Sequence, residues 1–347
     1  MSENTKPLCP ECDAPEEALD RRHFIRVLGE QTAGVVALGA VAATAPHLSA
    51  ADKPTVTAPA KKPAKPAEAL VKELSAGLSA DQKKAVVYAW EDKRRLGMYN
   101  GPFGANSTIG KIYTKAQQEL IDRIVRAIAS DEDGYRQLSR NGTWDGSGAL
   151  QNCGAYLFGD PSQGKYAWLF AGHHLTVRCD GDSEEGAAFG GPMYYGHSPN
   201  GYSDRNIFYY QTKAVLSVFD ALSEKQRKVA VVTGTPGEHA PSVRFRPAKE
   251  RKPGISSGEL NKDQRALVET VMRTILSPYR KQDADEVMEI VKTNGGLEKI
   301  HLAFYQDARM NDKQRWHFWR LEGPGFVWNF RVLPHVHTYV NISSNQA

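Results

Sequence analysis

The run "LPHVHTYVNI" (residues 333–342) places His335 and His337 one residue apart. In an extended strand successive side chains alternate between faces, so His335, His337, Tyr339 and Asn341 share one face and Val336, Thr338, Val340 and Ile342 the other. Imidazoles at this spacing spring from points roughly 6–7 Å apart and can lean onto one metal ion at about 2.0–2.1 Å each. A second group, "AGHHLTV", sets His173 beside His174. Read as strand, the two face opposite ways: His173 sides with Leu169, Leu175 and Val177, and His174 with Trp168, Phe170 and Thr176. At most one of them is therefore expected to join His335 and His337. His197, in "YYGHSPNGYSD", stands on a loop of Gly, Pro and Asn and offers a further ligand.

Neutral imidazoles suit a transition metal ion such as copper, zinc or iron and disfavour magnesium and calcium. Three histidines with an open position imply a metalloenzyme that activates water or oxygen, and the sequence does not choose between redox and hydrolytic chemistry. Two other readings use the same residues: a non-catalytic envelope protein that binds a metal or small ligand, and a metal-free hydrolase with a histidine base. Nearby carboxylates are Glu322, Asp180 and Asp182. Trp316, Trp319, Trp328, Tyr194, Tyr195 and Tyr339 either wall a cleft or fill a core. There is no G-x-S-x-G, Walker loop, H-E-x-x-H or dinucleotide fingerprint.

The elements that must position these residues are legible in outline. One signature recurs five times, as "SADQ" from Ser79, "TKAQ" from Thr114, "SEKQ" from Ser223, "NKDQ" from Asn261 and "NDKQ" from Asn311. Each pairs a capping side chain with a Gln three residues on, which predicts helix starts, the last opening only a turn. "GAYLFGD", the turn "PSQG" and "KYAWLFAGHHLTVRCD" read as a hairpin, while "LEKIHLAFYQD", "RWHFWRLEG", "GFVWNFRVL" and "HVHTYVNI" read as four strands on short links. The expected fold is α+β: a helical N-terminal part, a central β-hairpin with long loops, more helices and a C-terminal antiparallel four-strand meander. No internal domain repeat is visible.

At the other end, "RRHFIR" (Arg21 to Arg26) followed by "AGVVALGAVAATA" predicts a twin-arginine-type signal over residues 1–51, hence the twin-arginine export machinery as partner and a periplasmic or extracellular destination. The apolar stretch is too short for a stable transmembrane span. Residues 52–69, Pro, Ala and Lys with little to bury, read as a linker, leaving 70–347 as a single domain. Residues 1–51 hold 4 basic and 7 acidic side chains, so the rest of the chain carries 40 basic against 33 acidic, or +7, too mild and scattered for nucleic acid. Cys9 and Cys12 have zinc-ribbon spacing but no second pair. Cys153 and Cys179 are read either as a disulfide of an oxidising compartment or as two buried thiols.

The runs "YAWLFAGHHLTV", "LEGPGFVWNF" and "HVHTYVNI" resemble a family of mostly bacterial, often exported proteins known as domain of unknown function 3500. The resemblance runs from about Leu70 to the C-terminus and rests most on Gly172 to Leu175 and on His335, His337 and Thr338. It implies that the paired histidine clusters are a family pattern, and it carries no settled activity, substrate or cofactor. The family usually has another residue where His197 stands.

Overall fold

The structure, a computed structural model, describes residues 66–344 except 248 and 309; the arginine pair, the Cys9 and Cys12 pair and most of the linker lie outside the described residues. The described helices are α1 (Pro66–Ala76), α2 (Ala80–Val86), α3 (Ile109–Ile112), α4 (Lys115–Ile128), α5 (Glu132–Leu138), α6 (Tyr209–Ala221), α7 (Glu224–Ala230), α8 (Lys262–Leu276) and α9 (Lys281–Thr293). The strands are β1 (Val87–Tyr88), β2 (Gly154–Asp160), β3 (Lys165–Gly172), β4 (Leu175–Cys179), β5 (Met193–His197), β6 (Val231–Thr233), β7 (Ile255–Ser256), β8 (His301–Gln306), β9 (Phe318–Gly323), β10 (Phe326–Arg331) and β11 (Val336–Ile342). The α+β expectation holds, but the sheet is larger than a hairpin and a separate meander: all eleven strands belong to one sheet. Helix α1 also takes in the last residues of the expected linker, because Pro66 opens its first turn and Ala67, Val71 and Leu74 form a buried stripe.

The strand order is β1-β2-β3-β4-β5-β11-β10-β9-β8-β6, with β7 on β8. It reads the same way from either edge. Each half runs inward from a short parallel edge strand (β1 on β2, β6 on β8) through antiparallel neighbours, and the halves meet where β5 pairs antiparallel with β11. The helices follow the same plan, since α1 packs on α4 and α6 on α8. The two halves thus share one strand order on either side of the β5–β11 seam, an architectural repeat where the sequence shows no domain repeat. The sequence trace is thin: "LSADQKKAVV" (78–87) and "LSEKQRKVAV" (222–231) share Leu, Ser, Gln, Lys and Val. Strands need only alternating polarity, so a shared strand order leaves little trace in the sequence.

Four of the five Gln signatures are capping boxes that open α2, α4, α7 and α8, and Asn311 heads a turn, as expected. The boxes also pair with each other. Gln82 Nε2 donates to Gln117 Oε1 (2.6 Å) and Gln226 Nε2 to Gln264 Oε1 (3.0 Å), while Gln117 reaches Gly77 O and Gln264 reaches Ala221 O. A glutamate would serve the cap equally well, as Glu259 does for Ser256, but could not donate, which explains why the four boxes that pair between helices use Gln. Gln264→Glu keeps the cap acceptor and loses the bonds to Ala221 O (2.7 Å) and Gln226 Oε1 (2.9 Å). At about 1 kcal/mol for each buried bond, a loss of about 2 kcal/mol is expected in a denaturant titration. An unchanged midpoint would show that the pairing contributes nothing.

The helices cover one face of the sheet with the main core, which takes in Trp168, Trp316, Trp319, Trp328 and Tyr195. Those aromatics are core, not cleft. Cys153 and Cys179 are both buried and free: Cys179 pairs across the ladder with Trp168, and Cys153 stands just ahead of β2. The opposite face of the β9–β11 half carries Arg320, Glu322, Asn329, Arg331, His337, Tyr339 and Asn341, and residues 234–254 run across it. Among the described residues no helix is long and apolar enough to cross a membrane.

Candidate metal centre

The register splits "KYAWLFAGHHLTVRCD" into two strands. Gly172 pairs with Leu175, so His173 and His174 are the two-residue turn between β3 and β4 and not members of one strand. The parity argument that sent them to opposite faces therefore fails, because a turn breaks the alternation. His174 sits at φ 54°, a left-handed conformation usually left to Gly or Asn. It is held there by its own backbone: its N–H donates to Asn100 Oδ1 (2.7 Å) and its carbonyl accepts from Gly196 N–H (3.0 Å) on β5. A side chain kept in a strained turn by surrounding bonds is the kind of outlier that collects at functional sites.

From that turn His174 meets the first residues of the last strand. His335 stands just before β11 and His337 within it. Their Nε2 atoms lie 2.9 Å apart and at 3.2 and 3.0 Å from His174 Nε2, a nearly equilateral triangle of nitrogens. All three residues are buried, at 0%, 1% and 4% exposure, which leaves little water to separate the rings. Burial lowers His174 to about 3 and His335 to about 2, the latter helped by the charge of Arg331, and it puts His337 well below the ordinary histidine range. The rings are neutral at physiological pH, the form that ligates.

Hydrogen bonds fix which nitrogen holds the proton. His174 Nδ1 lies 3.0 Å from Asp145 Oδ2, and His337 Nδ1 lies 2.9 Å from Glu238 Oε1 and 3.1 Å from the Tyr339 hydroxyl. An ionised carboxylate only accepts, so both rings carry their proton on Nδ1 and aim the Nε2 lone pair at the shared centre. Asp145 is itself clamped by Ser198, whose hydroxyl and amide both donate to it at 2.5 and 3.1 Å. Burial opposes its ionisation, yet the bond from His174 and the charge of Arg140 hold its carboxyl well below the usual range. Glu238 likewise takes a second partner, Arg331 Nη1 at 2.5 Å.

The Nε2 lone pairs of His174 and His337 converge at 3.0 Å, His335 Nε2 lies within 3.2 Å of both, and the three atoms make a group that could hold a metal ion. A second group, Asp145, His173 and His174, also has ligand atoms close together. There, however, His173 Nδ1 accepts the Gly146 N–H at 2.9 Å and is committed. Gly146 is required for this approach, since a Cβ at that position would lie 2.7 Å from His173 Nδ1. His197 stays outside both groups: its Nδ1 accepts the Ile207 amide at 3.0 Å, and burial lowers it to about 4.

The chain matches the family model described as a protein of unknown function (DUF3500) over residues 60–345. The chain belongs to this family. No curated protein and no solved structure matches it. The DUF3500 description carries no activity, so the chemistry has to be argued from the triangle itself.

Of the residues singled out in the sequence, His174, His335 and His337 come together, while His173 and His197 do not join them. The carboxylates named there serve elsewhere, Glu322 pairing with Arg320 and Arg246, and Asp180 accepting the amides of Asp182 and Glu184. The carboxylates that orient this DUF3500 site, Asp145 in "TWDGSG" and Glu238 in "TPGEHA", were missed. Each is a lone acid in a glycine-bearing loop, and no spacing rule connects it with a histidine far away in the chain.

Proposed function

We propose that this chain is an exported metalloprotein in which His174, His335 and His337 hold one transition-metal ion, with Asp145 and Glu238 orienting two of the three ligands. The observation that carries this reading is the nitrogen triangle, with two of its rings locked as Nδ1–H tautomers by carboxylate contacts from Asp145 and Glu238. Three protein ligands leave positions for water or substrate, which favours an enzyme over a structural site that closes all four. The spacing supports one ion class over another. At a bond of about 2.1 Å, nitrogens near 3.0 Å apart subtend roughly 90°, whereas a tetrahedral ion needs them about 3.4 Å apart. Five- or six-coordinate iron or copper fits that facial arrangement better than four-coordinate zinc, and so redox chemistry on a small molecule better than zinc hydrolysis. Export by the twin-arginine route agrees with a buried ion, because that machinery carries proteins already folded around their cofactors.

The test is elemental analysis of the mature chain recovered after export with its own signal. About one iron or copper per chain is expected, removable by chelator with a fall in melting temperature and restored on reloading. A chain without stoichiometric transition metal would sink the reading, and one zinc per chain would retain the site while overturning the redox assignment.

A further inference from the structure

Residues 234–254, "GTPGEHAPSVRFRPAKERKPG", cross the polar face of the sheet directly over His337. One of their contacts with that face is apolar, Val243 clustering with Tyr194, Val327 and Tyr339 and Phe245 packing against them, and the others are polar. Glu238 takes Arg331, His337 and Tyr339; the carbonyl of Ser242 accepts from Arg320 (2.6 Å) and its hydroxyl from Asn329 (3.3 Å); Val243 O accepts from Asn341 (3.0 Å); Arg246 pairs with Glu322 (2.9 Å). Among the described residues of the segment only Ser242 and Val243 are buried. The segment in the corresponding place in the other half, residues 89–108, is also held by hydrogen bonds, Tyr99 with Thr176 and Arg178 with Arg95 O, and adds Phe103 stacked on Tyr156 with ring centres 3.8 Å apart. A strap held mainly by hydrogen bonds can exchange them for water when it lifts, and the apolar area it then exposes is confined to the small cluster around Val243, which is the physical content of a low local stability. Glycines in left-handed conformations stand near its start (Gly234, φ 96°, and Gly237, φ 85°) and at its end (Gly254, φ 81°).

We infer that residues 234–254 are the access strap of the histidine triangle and that Glu238 is its positioning residue, so that opening the strap and releasing the His337 imidazole are one event. This rests on the site proposed above but not on its metal. The triangle is buried beneath the strap, and Glu238 is its half-buried cover, with 28% of its side chain exposed. When the strap lifts, His337 Nδ1 loses its carboxylate and Arg331 loses its ion pair. When it closes, ligand orientation and exclusion of water return together.

The experiment reads access without needing a metal. Ser242 and Asn329 touch, so Ser242→Cys with Asn329→Cys allows a disulfide between strap and sheet, verified by mass spectrometry. Carbethoxylation of His335 and His337 by diethyl pyrocarbonate, followed by peptide mapping of the chelated mature chain, is expected to slow at least tenfold in the oxidised form and to recover on reduction. Glu238→Gln, which needs no cross-link, is expected to speed it several-fold while leaving the reactivity of His239, an exposed neighbour, unchanged. Equal rates in the oxidised and reduced forms, or a Glu238→Gln rate equal to wild type, would overturn the strap. Should the wild type carry metal, release to a chelator must follow the same order. Should it carry none, the strap stands or falls on modification alone.

Discussion

His335→Ala combined with His337→Ala abolishes stoichiometric metal binding and leaves a folded chain. Two of three ligands are gone, and the remaining imidazole, His174, cannot hold an ion alone in a site with no other committed donor at its centre. The fold survives because Val336, Val340 and Ile342, which anchor β11 in the main core, are untouched. In the metal-free protein, moreover, the Nε2 lone pair of His337 faces that of His174 at 3.0 Å, so its removal relieves a repulsion as well as losing packing. The stability added by a ligand that binds only the folded state is RT ln(1 + [L]/Kd), so chelator lowers the melting temperature of the wild type and leaves that of the double variant in place. Asp145→Asn provides the graded comparison. The amide can donate as well as accept, so it no longer fixes the His174 proton on Nδ1, and the affinity falls about 10- to 100-fold without vanishing. A double variant that keeps its full complement of metal would place the ion elsewhere; an Asp145→Asn affinity equal to wild type would show that the carboxylate does not orient the ligand.

The sequence revealed the armed face of β11 because a strand has a strict period of two, and the apolar residues Val336, Val340 and Ile342 fixed the phase. The same rule misled at His173 and His174. A two-residue turn between apolar strands looks like one long strand when the turn residues are not Gly, Asn or Asp, and His174 occupies its left-handed position against preference. Asp145 and Glu238 were illegible for a different reason. A loop acid becomes a ligand-orienting group only through tertiary placement, Asp145 through the loop that Arg140 ties to β5 and Glu238 through the strap. The matching plan of the two halves was partly written in the repeated Gln signatures, whose function as caps is local. That they also pair across helices, Gln82 with Gln117 and Gln226 with Gln264, is visible only in the folded chain.

Arg140→Met destabilises the chain by about 3–5 kcal/mol, the largest expected cost of any single change here. The guanidinium is buried and donates to Gly196 O (2.8 Å) and to the carbonyls of Leu138 and His174, with Asp145 Oδ2 at 3.9 Å. Burial lowers its affinity for the proton, partly offset by Asp145, yet an arginine stays charged in a protein and must be compensated. Methionine restores the volume but leaves three carbonyls without that donor and Asp145 without its countercharge. It also frees a loop in which Arg140, Asn141, Trp144 and Asp145 all have positive φ, so the strain held by the guanidinium becomes a driving force for opening. Lysine should recover little, since one ammonium cannot reach three diverging carbonyls as a planar fork does. The coupling is separable by a double-mutant cycle in denaturant. If the arginine acts partly by balancing Asp145, Arg140→Met with Asp145→Asn costs less than the sum of the single changes, by about 1–3 kcal/mol. Strict additivity would confine Arg140 to its carbonyls and make the position of His174, rather than the charge of Asp145, the quantity that it sets.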